Sequence, residues 1–117
     1  MSEENIQRIR TAGPRVNFVA GATPATVFIL SNNRVAYIRK ILAYNGQAAD
    51  IILEIGTGLA AAFARAMPRF RVIAGFPFPL SEEECPRLRF EGNITAQVSA
   101  AGAGALSVEV QVEVEEE

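Results

Sequence analysis

The amino-acid sequence predicts an all-β protein, an antiparallel β-sandwich of jelly-roll type with about seven to eight strands. Near the C-terminus, apolar residues fill every second position of Leu106–Val114, and a side-chain period of two is typical of a strand with one buried face. Several other short apolar runs are separated by turn-forming residues, as in sandwiches and jelly rolls. The chain of 117 residues contains no Trp, which favours a thin core between two closely packed sheets.

The length predicts one domain. Ile6 and Ile9 stand among polar neighbours ahead of Gly13-Pro14, a pattern more typical of a loosely held segment than of a core element. We therefore expect an N-terminal arm over residues 1–23 and a single sandwich domain over residues 24–117.

The first two predicted strands of the domain are Thr26–Leu30 and Arg34–Tyr44, the second of which stops at Asn45-Gly46. Asn-Gly is the dipeptide most strongly linked to tight type I′ hairpins. We therefore expect Ala49–Ile55 to pair with Arg34–Tyr44 as a hairpin.

The second half of the chain contains an alanine-rich stretch and a second predicted hairpin. Residues 59–67 are compatible with one short helix, and Pro77 and Pro79 predict an edge strand or loop because proline cannot donate to a central ladder. Apolar residues alternate over Ile94–Ala100, and the glycines at 102 and 104 predict a turn that pairs this strand with the C-terminal one.

Charge and hydropathy exclude several partners. The formal net charge is −2, whereas nucleic-acid-binding surfaces concentrate Lys and Arg, so we expect no nucleic-acid partner. The acidic N-terminus and the lack of an apolar run of about 18 residues predict no export signal and no membrane association. The single cysteine, Cys85, excludes a disulfide within one chain.

One motif resembles a cofactor site. The glycines of Gly56-Thr57-Gly58 end an apolar run and precede alanines, as in the turns that bind dinucleotides or S-adenosylmethionine. The expected antiparallel hairpin argues against this interpretation, and no acidic residue lies about 20 positions further on. We expect a turn with positive φ angles and no cofactor.

The composition also disfavours catalysis and metal binding. The sequence has no histidine, which removes the commonest general base and metal ligand, so we expect a protein that is not an enzyme. The acidic runs at 82–84 and 115–117 are interpreted as a solvated loop and a frayed terminus rather than as metal sites. We expect Arg69, Arg71, Arg87 and Arg89 to form cross-strand ion pairs with Glu109 and Glu113.

Over roughly residues 24–114, the order of these segments resembles that of small tailed-phage virion proteins. The likeness lies in an extended strand ending at Asn45-Gly46, a strand ending at Gly56-Thr57-Gly58, a glycine-started strand from Gly92 and the valine-alternating C-terminus. The resemblance implies a jelly-roll sandwich without catalytic residues that forms homotrimers. It also implies a place in the virion, assembled in the host cytoplasm, on the capsid or in the tail, with the major capsid protein or other virion proteins as partners.

The resemblance thus implies a non-enzymatic bacteriophage structural protein, a capsid decoration (cement) protein that stabilises the particle as a homotrimer. The alternative is a carbohydrate- or receptor-binding module of a phage tail or surface protein, and a truncated methyltransferase-like domain ranks third. Apolar side chains outside the strongest strand patterns are the candidate interface residues: Ile6, Ile9, Phe18, Phe76 and Phe78.

Overall fold

The protein folds into two antiparallel β-sheets that pack face to face. The computed structural model describes residues 9–31, 34–75, 77–80 and 88–117, without the side chains of Ile9 and Phe78. Eleven strands form the sheets: β1 Ile9–Ala12, β2 Val16–Phe18, β3 Ala25–Phe28, β4 Ala36–Asn45, β5 Ile51–Thr57, β6 Ala64–Arg65, β7 Phe70–Val72, β8 Pro77–Leu80, β9 Arg89–Phe90, β10 Ile94–Val98 and β11 Val108–Glu116. The predicted all-β sandwich is confirmed.

Each sheet has two long central strands flanked by short ones. In the first sheet, β11 pairs with β4, β1 and β2 both pair with β11, and β8 and β9 both pair with β4. In the second sheet, β10 pairs with β5, β3 pairs with β10, and β6 and β7 both pair with β5. The eleven strands thus occupy eight positions, four in each sheet, which is the plan of a jelly roll.

The predicted number of strands is wrong, since the described residues already form eleven strands rather than seven or eight. Three of the eight positions are divided into two short strands where the chain contains breaks such as Gly13-Pro14 and Pro68. Proline lacks the N–H that a ladder needs, so the pairing stops and begins again on its far side.

The C-terminal strand is the centre of the first sheet, and its alternation is confirmed. Val108, Val110, Val112 and Val114 are each 0% exposed, while the residues between them are half-buried on the other face. The valines face the inward side chains of the second sheet, among them Leu53, Ile55, Ile94, Ala96 and Val98.

Both predicted hairpins are wrong. β4 lies in the first sheet and β5 in the second, and β10 and β11 are likewise divided between the sheets. Asn45-Gly46 therefore begins a corner that crosses the sandwich. Gly46 is required there by space rather than by a left-handed conformation, since a Cβ would lie 2.3 Å from the Ala105 carbonyl oxygen.

The alanine-rich stretch forms a corner of the sandwich rather than an α-helix. Ala60–Ala62 form a single 3₁₀ turn, and the chain then returns as β6 to pair with the end of β5. Leu106, where the sequence alternation begins, lies in a second 3₁₀ turn over Gly104–Leu106.

Both ends of the described chain belong to the first sheet. Residues 9–18 of the predicted arm contribute β1 and β2, which form one edge of that sheet. The expectation of a frayed acidic terminus is wrong: Glu115 and Glu116 are 7% and 5% exposed, and Glu117 pairs through its backbone with Val35. The Glu116 carboxylate accepts a hydrogen bond of 3.1 Å from the Ser31 backbone N–H.

Candidate functional site

The outer face of the first sheet carries an exposed apolar surface, here called the outer-face patch and formed by Leu42, Tyr44, Pro77 and Pro79. Leu42 is 50% and Tyr44 45% exposed, and both prolines are exposed. Strand register aligns Leu42 with Pro79 and Tyr44 with Pro77. The patch is therefore built from two neighbouring cross-strand pairs.

A β-bulge in β4 decides which side chains reach this face. Lys40 pairs with Glu113 and Ile38 pairs with Val114. Two steps along β4 therefore match one step along β11, and Arg39 is the extra residue. An extra residue reverses the inward–outward phase of a strand. As a result Ile38 and Ile41 both point into the core, and Leu42 and Tyr44 point outward.

Leu42 separates two shallow concavities on the outer face. One, of about 150 Å³, is lined by Tyr44, Pro77, Arg15 and Glu109 among others. The other, of about 180 Å³, is lined by Lys40, Glu113, Gln111 and Ala12 together with Leu42. The surface thus combines an apolar ridge with charged groups on both sides of it.

The polar border of the outer-face patch is held by contacts between β11 and the chain around β1 and β2. Arg10 pairs with Glu113 at 2.9 Å and Arg15 lies 3.8 Å from Glu109, while the Gln111 amide donates a hydrogen bond of 2.8 Å to the Gly13 carbonyl. Exposed pairs of this kind contribute little to stability, but they fix the side chains that border the patch.

The predicted ion pairs connect different residues. Arg69 bonds to Glu54 at 2.7 Å and Arg71 to Asp50 at 2.9 Å, because β7 pairs with β5 in the second sheet whereas Glu109 and Glu113 belong to the first. Arg89 pairs with Glu91 at 3.2 Å, and Arg87 lies outside the described residues.

Glu54 is the centre of a polar network on the outer face of the second sheet. Arg69 donates a hydrogen bond to one carboxylate oxygen and Gln97 donates to the other, both at 2.7 Å. The hydrogen bond from Arg69, followed by that from Gln97, lowers the pKa of Glu54 below its usual value, against an opposing effect of burial. An adjoining concavity of about 380 Å³ includes Ile52 and Ser99 in its lining.

The Gly56-Thr57-Gly58 motif lies at the end of an antiparallel strand. A Cβ at residue 56 would lie 1.9 Å from the Ala64 carbonyl oxygen, and Gly58 has a φ of +82°. Both glycines are therefore required by the close return of the chain at β6 and by the turn itself. The expected positive φ angle is confirmed at Gly58.

The predicted interface residues fall in different places. Phe18 is 3% exposed in the core, paired through its backbone with Val108. The backbones of Ile9 and Phe78 pair with Glu116 and Ala43. Ile6 and Phe76 lie outside the described residues.

Sequence reasoning did not identify Leu42 and Tyr44. Both occur in the run Arg34–Tyr44, whose inward–outward alternation changes at the bulge. A period of two counted from one end of the run therefore assigns the wrong residues to the outer face at the other end. The sequence does carry one signal of the bulge. Ile38 and Ile41 are both apolar but three residues apart, a spacing that a regular strand would divide between its two faces.

Within the described residues, no group of three or more His, Cys, Asp or Glu side chains is placed to hold a metal ion. The helical turns in this part of the chain include none long and apolar enough to span a membrane. No protein-family model matches the chain, and no curated protein is significantly similar to it.

Proposed function

We propose that this protein is a non-enzymatic virion structural protein of a bacteriophage, a capsid decoration (cement) protein that acts as a homotrimer. The observation that carries the proposal is the outer-face patch on the first sheet. Large apolar side chains gathered on one face, with charged groups at the border, are typical of protein–protein contact surfaces. The jelly-roll order of the strands agrees with the resemblance to small tailed-phage virion proteins.

The outer-face patch is the surface that we assign to the capsid. A cement protein needs contact area rather than catalytic groups, and many copies on one particle add their weak contacts through multivalency. Tyr44 supplies a large side chain with little conformational entropy to lose, and Leu42 stands as a ridge between two concavities. Lys40, Arg15, Glu109 and Glu113 give the border charges of both signs that would fix the orientation of docking.

Co-sedimentation with empty capsids tests this proposal. The capsids are assembled from the major capsid protein of the same genome, and the wild-type chain is compared with the double variant Leu42→Ser/Tyr44→Ser. We expect the wild type to sediment with the capsids and raise their thermal transition, and the double variant to bind at least about tenfold more weakly, about 1.4 kcal/mol.

The matched control is Leu59→Ser. Leu59 is 49% exposed and follows β5 in the second sheet, at the end of that strand remote from the corner that begins at Asn45, so its replacement should leave capsid binding unchanged. A wild-type chain that does not bind, or a double variant that binds as well as the wild type, contradicts the proposal.

The second candidate is a carbohydrate- or receptor-binding module of a phage tail or surface protein. The concavity formed by Tyr44, Arg15 and Glu109 favours it, because an exposed ring beside charged hydrogen-bonding groups is able to stack on a sugar and orient its hydroxyls. A glycan array followed by titration tests this candidate. Saturable binding that is abolished by Tyr44→Ala, together with no binding to capsids, would replace the first proposal.

A further inference from the structure

Four connections between the two sheets lie at one end of the sandwich, here called the corner end. They join β2 to β3, β4 to β5, β7 to β8 and β10 to β11, and their described residues are 19–24, 46–50, 73–75 and 99–107. The register places them together. Val108 pairs with both Phe18 and Asn45 in the first sheet, while in the second sheet Ile51 pairs with Val72 and β10 ends at the same end of β5.

The corner end is nearly free of charge. Asp50 is the one charged residue among the described residues of its four connections, and the Asp50 carboxylate accepts a hydrogen bond of 2.9 Å from Arg71. The opposite end differs, because the connections there carry Arg34 and Glu91 and the chain ends there at Glu117. The two ends of the sandwich are therefore suited to different kinds of contact.

Three large apolar side chains are exposed at the corner end. Val19 is 57%, Ile73 54% and Leu106 52% exposed, and each belongs to a different connection. Val19 and Leu106 follow and precede strands that are neighbours, since Phe18 pairs with Val108. Large apolar side chains on a surface with few charges are typical of the buried centre of a protein–protein contact.

Hydrogen bonds join these connections to one another. The Gln47 side-chain amide donates a hydrogen bond to the Leu106 carbonyl, and the Gly75 N–H donates to the Asn45 carbonyl at 3.0 Å. The connections that carry Leu106 and Ile73 are therefore held in place before any partner binds. A surface ordered in this way loses less conformational entropy on association than a mobile loop does.

We propose that the corner end is the surface through which three copies of this chain associate, with the corner ends of all three at the threefold axis. The inference rests on the proposed function, because it assigns the contact that holds the proposed trimer together. An axis of symmetry brings the same surface of each copy together, so a charge near it would lie close to its own repeats, and like charges repel. The corner end avoids this repulsion because its single charge, on Asp50, is paired.

The outer-face patch has the opposite character, which assigns the two surfaces to different partners. Charged groups of both signs border the outer-face patch, and such groups orient a partner of complementary charge. The corner end offers a partner no such pattern, whereas a second copy of the same chain matches it in apolar character. The two surfaces have no residue in common, so no residue is required to serve both contacts.

Solution mass at several protein concentrations tests the assignment. Leu106→Glu places one identical charge from each copy near the axis and should raise the trimer dissociation constant at least about tenfold. The matched control is Leu59→Glu, since Leu59 is 49% exposed at the opposite end, and it should leave the constant unchanged. Circular dichroism confirms that each variant is folded.

A neutral variant separates repulsion between copies from a change of local structure. Leu106→Gln has the same shape as Leu106→Glu without its charge, so it should weaken the trimer less. Because salt screens repulsion between exposed charges, about 0.5 M NaCl should restore part of the trimer in Leu106→Glu and change Leu106→Gln little.

Thiol cross-linking gives an independent measurement of the same contact. Leu106→Cys is made in a Cys85→Ser background and treated with the short cross-linker bismaleimidoethane. We expect covalent dimers on a denaturing gel, because one thiol in each chain links two of the three copies. Leu59→Cys in the same background should stay uncross-linked.

The outcomes separate this inference from the proposed function. A wild-type trimer that persists in Leu106→Glu, or that is not cross-linked through Leu106→Cys, overturns the assignment of the corner end and leaves the cement proposal standing. A wild-type chain that is monomeric and does not bind capsids overturns the proposed function itself.

Discussion

Asn45 and Val72 lie in opposite sheets, and the buried Asn45 side-chain amide donates a hydrogen bond of 3.1 Å to the Val72 carbonyl. The same amide nitrogen donates to the Ala49 carbonyl at 2.8 Å, and the amide oxygen accepts from the Gln47 backbone N–H at 2.8 Å. Asn45 is 0% exposed. One side chain thus joins the first sheet, the corner that leaves it and the second sheet.

Replacing Asn45 with Ala should lower the free energy of unfolding by about 2–4 kcal/mol, because buried backbone groups lose their partners and water does not replace them. Urea denaturation measures the change. Asn17→Ala is the control, since Asn17 is exposed on β2, and its loss should stay within about 0.5 kcal/mol. Equal losses of stability in the two variants would show that the Asn45 hydrogen bonds between the sheets do not contribute to the free energy of unfolding.

Replacing Gly56 with Ala should destabilise the protein by at least about 2 kcal/mol, because the new methyl group would overlap backbone rather than a movable side chain. Gly92→Ala is the matched control, since a Cβ there has no neighbour within 4 Å, and we expect a change of less than about 0.5 kcal/mol. Thermal unfolding of both variants gives the comparison. A Gly56→Ala protein as stable as the wild type would remove the packing explanation of this glycine.

Glu54 should make stability depend on pH. Its folded-state pKa lies below the usual value of 4.5. At pH values near these two pKa values, the Glu54 carboxylate therefore binds more protons in the unfolded chain than in the folded one. The stabilising contribution is fully present above the unfolded pKa and is lost as pH falls through the folded pKa. Glu54→Gln should therefore be less stable than the wild type at pH 7, and the difference should shrink as the pH is lowered from 6 to 3.

Denaturation curves at several pH values measure this convergence. Glu91→Gln is a suitable control, because the Glu91 side chain is 69% exposed in its pair with Arg89 and contributes little. A difference between wild type and Glu54→Gln that stays constant with pH would contradict the account of the Glu54 network.

The fold class could be predicted from the sequence because the strongest pattern belongs to a central strand. β11 is flanked on both sides and has one face on the core, so its four valines alternate without interruption. The strand partners could not be predicted in the same way. Asn45-Gly46 indicates that the chain turns there, but whether it returns to the same sheet depends on contacts with Ala49, Val72 and Ala105, which no local pattern contains.

The outer-face patch was less accessible to sequence reasoning than the fold. Its position depends on the single extra residue Arg39, and a bulge has no sequence signal of its own in a run rich in apolar residues. Pro77 and Pro79 were recognisable as belonging to an edge, and this prediction is confirmed by β8. That the edge lies beside Leu42 and Tyr44 follows only from the pairing of β8 with β4.

The solution mass of the wild-type chain tests the central claim, a homotrimeric structural subunit, most directly. One chain has a mass of 12.6 kDa, so light scattering coupled to size-exclusion chromatography should give three times that value, about 38 kDa. A mass that stays at 12.6 kDa at every protein concentration tested would contradict the account.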